Sequence, residues 1–219
     1  MTWRCLYLHG FASGPSSAKG VAFQRALADD GIAVERLDLR VPSLAHLRLS
    51  AIIDHVVATI GASERVVLIG SSLGGLAAAR VAERVPAVRA LVLLAPAFRI
   101  GERWPRRLGA DAVAAWRRDG WLAIEDHTTH QPARVDVGFL DDAVVIDAAG
   151  DGWPRVTVPT WIAHGTRDDV VEIELARGFC ARTPTAGLTE LDDGHDLVAS
   201  LPIILAGARA FLRGVTAST

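Results

Sequence analysis

The sequence of 219 residues lacks an excess of charge of either sign. It carries 23 Lys and Arg against 25 Asp and Glu, which gives a formal net charge of -2. A protein that binds nucleic acid needs a basic face broad enough to neutralise many phosphates. The composition therefore disfavours a nucleic-acid partner, and it disfavours an anionic membrane surface for the same reason.

Cysteine is scarce as well, and long hydrophobic runs are missing. Cys5 and Cys180 lie far apart without the spacing of metal ligands, so they are expected to be two buried thiols. No apolar run approaches the roughly 18 residues of a membrane span, and no charged start leads into an apolar segment with a small-residue cleavage site. We expect a cytoplasmic protein with no cofactor; its oligomeric state cannot be deduced from the sequence.

The phosphate-binding loops of nucleotide enzymes are also missing. A loop rich in glycine and serine follows the first apolar run and ends at Gly20. In a P-loop the second glycine precedes Lys and then Ser or Thr, but here Gly14 precedes Pro15 and Lys19 precedes Gly20. The G-x-G-x-x-G pattern of dinucleotide binding does not occur in the loop either. Its function must be inferred from the rest of the chain.

Half of the residues are hydrophobic, which is enough for one buried core, and we expect a single domain over residues 1–219. Short apolar runs alternate with longer segments of helical spacing, which is typical of an α/β fold. The sequence predicts a mostly parallel, doubly wound sheet of about six strands. The predicted strands are 3–8, 33–38, 65–69, 89–94, 158–163 and 187–191, and the predicted helices are 17–30, 46–60, 73–85, 172–182 and 196–213.

The alternation stops after Pro96 and resumes near Pro159. The residues between, approximately 98–156, are predicted to form a small, partly helical cap insertion over the sheet. They include four tryptophans among charged residues: Trp104, Trp116, Trp121 and Trp153. These side chains are expected to pack between the insertion and the sheet, and an apolar lid of this kind would suit an acyl chain.

The segment Gly70-Ser-Ser-Leu-Gly74 fits the pattern G-x-S-x-G, directly after an apolar strand and directly before a helix. In this setting the central serine lies at the tip of a tight turn, and the glycines avoid collisions with the strand and helix. Ser72 is the predicted nucleophile. Ser71 is excluded because Ile69 and Leu73 occupy the places where its own glycines would have to be.

A serine hydroxyl needs a base and a carboxylate that orients the base. Asp168 follows an apolar strand, and His195 lies in a loop after the next strand. The order Ser72, Asp168, His195 is the order expected for a serine hydrolase on this kind of sheet. Asp169 and Glu102 are alternative acids that the sequence leaves open.

These motifs resemble those of the α/β-hydrolase superfamily, and the chain is similar to its small compact bacterial esterases. The resemblance covers nearly the whole length, although the first two strands of the full superfamily pattern are missing. It implies that the first loop forms an oxyanion hole, with backbone N–H groups of Phe11 and Leu73 as donors. The matching segments are His9-Gly10-Phe11, Gly70 to Gly75, His164 to Asp168, and Gly194-His195.

The expected function is hydrolysis of small-molecule carboxylic esters or thioesters by Ser72, His195 and Asp168 through an acyl-enzyme. Because a histidine base must be neutral, activity is expected to fall toward acid pH. Alternatives are hydrolysis of amides or carbon–carbon bonds, acyl transfer, and a non-catalytic binding module.

Other polar residues are expected to be structural. His9 and His164 are expected to brace loops or to be hydrogen-bonded at strand ends. The segment Glu125 to His130 contains two acidic residues and two histidines, but structural zinc sites use four ligands and no cysteine is near. No metal is predicted there.

Overall fold

The computed structural model describes residues 3–63, 65–149 and 151–217. Six parallel strands form one sheet in the order β2-β1-β3-β4-β7-β8, and β5 and β6 form an antiparallel hairpin. The six-stranded parallel sheet confirms the prediction, and every predicted strand lies within two residues of an observed one. The strands are β1 (Arg4–Leu8), β2 (Val34–Leu37), β3 (Val66–Ser71), β4 (Val88–Leu94), β5 (Trp121–Asp126), β6 (Gln131–Asp136), β7 (Thr160–Gly165) and β8 (Ala186–Leu191).

Helices cover both faces of the sheet, as predicted for a doubly wound fold. They are α1 (Ala18–Ala28), α2 (Leu49–Ile60), α3 (Leu73–Ala82), α4 (Ile100–Leu108), α5 (Ala110–Asp119), α6 (Gly138–Asp147), α7 (Ile173–Arg182) and α8 (Leu201–Ala217). None of these eight helices is long and apolar enough to cross a membrane.

The two faces of β1 show how the core is divided. Leu6 and Leu8 are buried in a hydrophobic cluster with side chains of α2, α3 and α7. Cys5 and Tyr7 are buried in a second cluster with side chains of α1 and α8. Successive residues of a strand point to opposite faces, so the apolar run of β1 contributes to both clusters. Cys180, in contrast, is only partly buried, so the prediction of two buried thiols is correct for Cys5 alone.

The last helix begins five residues later than predicted. The predicted helix 196–213 is observed as Leu201–Ala217, and the residues before it form a loop. Leu197 has a positive φ of 54°, which is incompatible with a helix. The carboxylate of Asp193 accepts a hydrogen bond from the N–H of Ser200 at 2.7 Å, which fixes the loop just before the helix starts.

The segment between β4 and β7 contains α4, α5, the β5–β6 hairpin and α6. Its helices agree with the prediction of partly helical structure, but the hairpin was not predicted. Both strands are largely half-buried or exposed and carry charged residues, and β6 contains Pro132, which disfavours a strand in sequence patterns.

The hairpin lies over loops that follow two strands of the main sheet. The N–H of His127 donates to the carbonyl of Ala12, and the N–H of Asp136 donates to the carbonyl of Ala45, both at 2.8 Å. Arg48 donates to the Asp136 carboxylate at 2.7 Å. These bonds hold the hairpin at the carboxyl ends of the parallel strands, where α/β proteins bind their ligands.

Candidate active site

Ser72 occupies a strained position between β3 and α3. Its φ of 52° and ψ of -115° are unusual for a residue with a side chain. A Cβ atom on Gly74 would overlap the carbonyl oxygen of Leu8, and one on Gly70 would overlap the carbonyl oxygen of Gly74. The two glycines therefore allow the close approach on which this turn depends. Ser72 is partly exposed, whereas its neighbour Ser71 is buried.

Three side chains from separate loops meet at this turn. The Nε2 atom of His195 lies 3.1 Å from the Oγ atom of Ser72. Its Nδ1 atom lies 2.8 Å from Oδ2 of Asp168. An ionised carboxylate can only accept, so Nδ1 carries the proton and Nε2 is free to accept the hydroxyl proton of Ser72.

The Asp168 side chain is fully buried and surrounded by donors. Oδ1 accepts hydrogen bonds from the N–H groups of Val170 at 2.9 Å and Val171 at 2.8 Å. Oδ2 faces both His195 and the Nε2 atom of His164, at 3.1 Å from the latter. Burial by itself raises the pKa of Asp168, but the hydrogen bonds from His164, His195 and Val171 outweigh it and hold the pKa well below its ordinary value. The group is a carboxylate at neutral pH.

The two alternative acids lie elsewhere. Asp169 is exposed, and its backbone carbonyl accepts a hydrogen bond from Arg107. Glu102 lies on α4 with an exposed side chain that pairs with Arg99. Of the three candidate carboxylates, Asp168 is the one that contacts His195.

The other two histidines at strand ends are hydrogen-bonded, as predicted. The N–H of Leu39 donates to Nε2 of His9 at 3.0 Å, so Nδ1 carries the proton and donates to the carbonyl of Gly10 at 2.8 Å. Burial lowers the pKa of His9, which favours this neutral form. His164 is fully buried, and its Nε2 donates to the carbonyl of Val171 at 2.9 Å while it also faces Asp168. The sequence did not reveal that His164 contacts the candidate acid.

Phe11 and Leu73, whose backbone N–H groups are the predicted oxyanion donors, both line the cavity beside Ser72. Leu73 is the first residue of α3, where an N–H has no acceptor within its own helix. Among the hydrogen bonds of the described residues, none is donated by either N–H group. The Phe11 ring packs against Trp104 and Phe139 of the cap, which holds the loop in place.

A cavity of about 500 Å³ opens above Ser72 and His195. Cap residues Ile100 and Trp104 and the loop residue Phe11 contribute apolar walls. Two cations also line the cavity, Lys19 from α1 and Arg103 from α4. Neither residue belongs to a sequence motif, and the sequence predicts that both face solvent. For the arginine cluster that contains Arg103, attraction of an anionic substrate head group is the alternative that the sequence leaves open.

The polar side chains of the segment Glu125 to His130 bond to each other and to the turn of the hairpin. His130 pairs with Glu125 at 3.1 Å, and both side chains are exposed. The carboxylate of Asp126 accepts a hydrogen bond from the N–H of Thr128, which closes the hairpin turn. Within the described ranges, no three histidine, cysteine, aspartate or glutamate residues gather in a group that could hold a metal ion.

Solved structures of α/β hydrolases resemble this chain closely in fold. Alpha/beta hydrolase domain-containing protein 10 from mouse gives a TM-score of 0.80 at 19% identity, over 96% of this chain and 90% of that one. Est1E from Butyrivibrio proteoclasticus, with ferulic acid bound, gives 0.83 at 20% identity, over 99% and 90%. A structure of the metagenome-derived lipolytic enzymes LipS and LipT gives 0.75 at 18% identity, over 97% and 94%. The predicted α/β-hydrolase fold is confirmed.

Comparison with curated proteins finds no matching sequence. A family model, however, matches residues 4–200, a range that includes all six strands of the sheet and the segment that carries Ser72, Asp168 and His195. The chain therefore belongs to UPF0227, an uncharacterised protein family, and adopts the α/β-hydrolase fold.

Proposed function

We propose that this protein is a serine hydrolase that cleaves carboxylic esters or thioesters of small molecules through an acyl-enzyme intermediate. The observation that carries the proposal is the continuous chain of contacts from Asp168 through His195 to Ser72. It lies at a strained turn whose glycines no larger residue could replace without a collision. Strain of this kind is typical of functional positions.

Ser72 is the proposed nucleophile and His195 the base. As the Oγ atom bonds to the acyl carbon, its proton passes to Nε2 of His195. Asp168 stabilises the resulting imidazolium through the Nδ1 hydrogen bond. The imidazolium then gives its proton to the leaving oxygen or sulfur as the bond to the acyl carbon breaks. Water repeats the sequence with the same base and releases the acid, which restores Ser72.

The negative charge that develops on the acyl oxygen needs donors placed in advance. The N–H groups of Phe11 and Leu73 are the proposed donors, since both residues line the cavity beside Ser72 and neither N–H group donates elsewhere in the described chain. The hydrogen bonds of His9 to Leu39 and Gly10 fix the loop that carries Phe11. His9 is thus proposed to position the loop without taking part in proton transfer.

Hydrolysis of p-nitrophenyl esters with acyl chains of two to sixteen carbons tests this function, together with butyryl thioesters followed by thiol release. We expect turnover by the wild type, and a loss of about 10⁶ in kcat for Ser72→Ala. The chain-length optimum will report the depth of the cavity beside Trp104.

The matched control is Ser16→Ala. Ser16 is an exposed serine of the loop before α1, and it does not line the cavity. Its replacement should leave kcat/KM unchanged. Equal activity of wild type and Ser72→Ala toward every ester would contradict the proposal, because it would place the hydrolysis elsewhere or in a contaminant.

A further inference from the structure

We propose that the leaving group of the substrate carries an anionic group, a carboxylate or phosphate, and that Lys19 and Arg103 bind it. This inference rests on the proposed hydrolase function and specifies the alcohol or thiol half of the substrate. Two cations line the cavity above Ser72, and neither has a carboxylate oxygen within 4.0 Å among the described residues.

Lys19 lies in the first turn of α1 and is partly buried at the cavity wall. Its Nζ atom donates to the backbone carbonyl of Asp196 at 2.8 Å. An ammonium has three donors, so two are left for a ligand. None of the ion pairs within 4.0 Å among the described residues includes Lys19.

Arg103 lies on α4 and is only 3% exposed. One of its guanidinium nitrogens, Nη1, donates to the carbonyl of Val170 at 2.5 Å, and the buried Nε has no hydrogen-bond partner within the described part of the chain. No carboxylate of the described chain pairs with it, although Arg106 on the same helix pairs with Glu172. Burying a guanidinium without a counter-charge is costly, so a site of this kind favours an anionic ligand.

The two cations flank the candidate acid and base. Lys19 donates a hydrogen bond to the carbonyl of Asp196, the residue after His195. Arg103 donates one to the carbonyl of Val170, two residues after Asp168. Burial lowers the pKa of each cation, and nearby carboxylates partly oppose this effect. They are Asp196, Asp168 and Asp193 at Lys19, and Glu172 and Asp168 at Arg103. Asp168 therefore acts on both from beyond ion-pair distance.

This placement selects the leaving-group half of the substrate. His195 must give its proton to the leaving atom, so the leaving group departs on the side of the cavity where His195 lies. Lys19 and Arg103, which lie beside the Asp168–His195 pair, are therefore placed to bind a negative charge on the leaving group. The remaining walls near Ser72 include apolar residues such as Phe11, which suit an uncharged acyl chain.

A matched pair of chromogenic esters separates this role from a general effect on the site. The pair is 4-nitrophenyl butyrate and 5-butyryloxy-2-nitrobenzoate, which share the acyl group and release nitrophenolates that differ by one ring carboxylate. We expect the wild type to have the higher kcat/KM on the carboxylated ester. In Lys19→Met the ratio of carboxylated to neutral kcat/KM should fall by about tenfold to hundredfold, the size of one charge-assisted hydrogen bond, mostly through KM. Lys19→Arg should restore most of the ratio.

The same ratio is measured in two variants of Arg103. Arg103→Lys keeps the charge and Arg103→Gln removes it, and thermal unfolding checks that both variants fold. The matched control is Arg106→Gln, which removes an exposed charge from the same helix and outside the cavity; its ratio should equal that of the wild type. If the ratio of carboxylated to neutral kcat/KM stays within twofold of the wild-type value in both Lys19→Met and Arg103→Gln, the leaving-group proposal is overturned. The hydrolase function would still stand. If the wild type hydrolyses neither ester, the proposed function fails first, and the leaving-group proposal fails with it.

Discussion

Replacing Asp168 with Asn tests the orientation of the candidate base. The two residues have nearly the same shape, but one oxygen becomes an NH₂ group that can only donate. Oδ1 accepts hydrogen bonds from the backbone N–H groups of Val170 and Val171, so the amide oxygen of the variant must take that position. The NH₂ group then takes the place of Oδ2 and faces Nδ1 of His195.

This replacement inverts the tautomer of the histidine. Nδ1 must now accept, so the proton of neutral His195 moves to Nε2, where it faces Ser72 Oγ and blocks proton transfer from the serine. A wrong tautomer in a triad of this kind costs about 10⁴ in kcat. We therefore expect Asp168→Asn to lose about 10⁴ in kcat on p-nitrophenyl butyrate.

Asp169→Asn provides the matched control. Asp169 is the next residue and is exposed, so its replacement removes the same charge without touching His195. Its kcat should stay within about twofold of the wild type. Thermal unfolding checks that Asp168→Asn is folded, since His164 also loses an acceptor at Oδ2. A folded Asp168→Asn protein with kcat within tenfold of the wild type would refute the orientation argument.

Two further predictions concern stability. A Cβ at Gly74 would overlap the carbonyl oxygen of Leu8, so Gly74→Ala should lower the free energy of unfolding by at least about 2 kcal/mol in urea titrations. Gly187 has open space around it, so Gly187→Ala should change the free energy of unfolding by less than about 1 kcal/mol. Equal effects of the two substitutions would contradict the steric argument. Burial raises the pKa of Asp147 to about 6, so the folded state holds this proton more tightly than the unfolded state does. The contribution of Asp147 to the free energy of unfolding therefore falls as pH rises from about 4 to 6. Asp147→Asn can still accept the hydrogen bond from the N–H of Gly101. Its free energy of unfolding, relative to that of the wild type, should therefore rise by up to about 3 kcal/mol between pH 4 and pH 7. A difference in free energy that does not change with pH would contradict this prediction.

The sheet and the turn at Ser72 could be predicted because their causes are local. Each strand is a short apolar run that a helical segment precedes or follows in the sequence. In β1, successive side chains point to opposite faces of the sheet and so enter two different hydrophobic clusters. The serine turn depends on Gly70 and Gly74 within one pentapeptide, so the pattern is visible in the sequence.

The cap and the polar walls of the cavity could not be predicted in the same way. The β5–β6 hairpin is held by backbone bonds to Ala12 and Ala45, residues that lie far away in sequence and carry no pattern. Lys19 and Arg103 reach the cavity from two helices on opposite sides of Ser72 in the chain. Their meeting depends on tertiary packing, which single-sequence periodicity does not encode.

The burial of Asp168 likewise needed the structure. The sequence predicts Asp168 as the acid but leaves Asp169 open. The backbone turn after β7 is what directs the Asp168 carboxylate inward and leaves that of Asp169 in solvent. The N–H groups of Val170 and Val171 fix this turn by donating to Asp168.

The most direct test of the account is to locate a fluorophosphonate adduct by peptide mapping. The probe reacts with a serine only when a base activates it and donors stabilise its oxyanion. We expect one adduct, on Ser72, and strongly slowed labelling in His195→Ala. An adduct on Ser71, or a wild-type protein that stays unlabelled under conditions that label a known serine esterase, would contradict it.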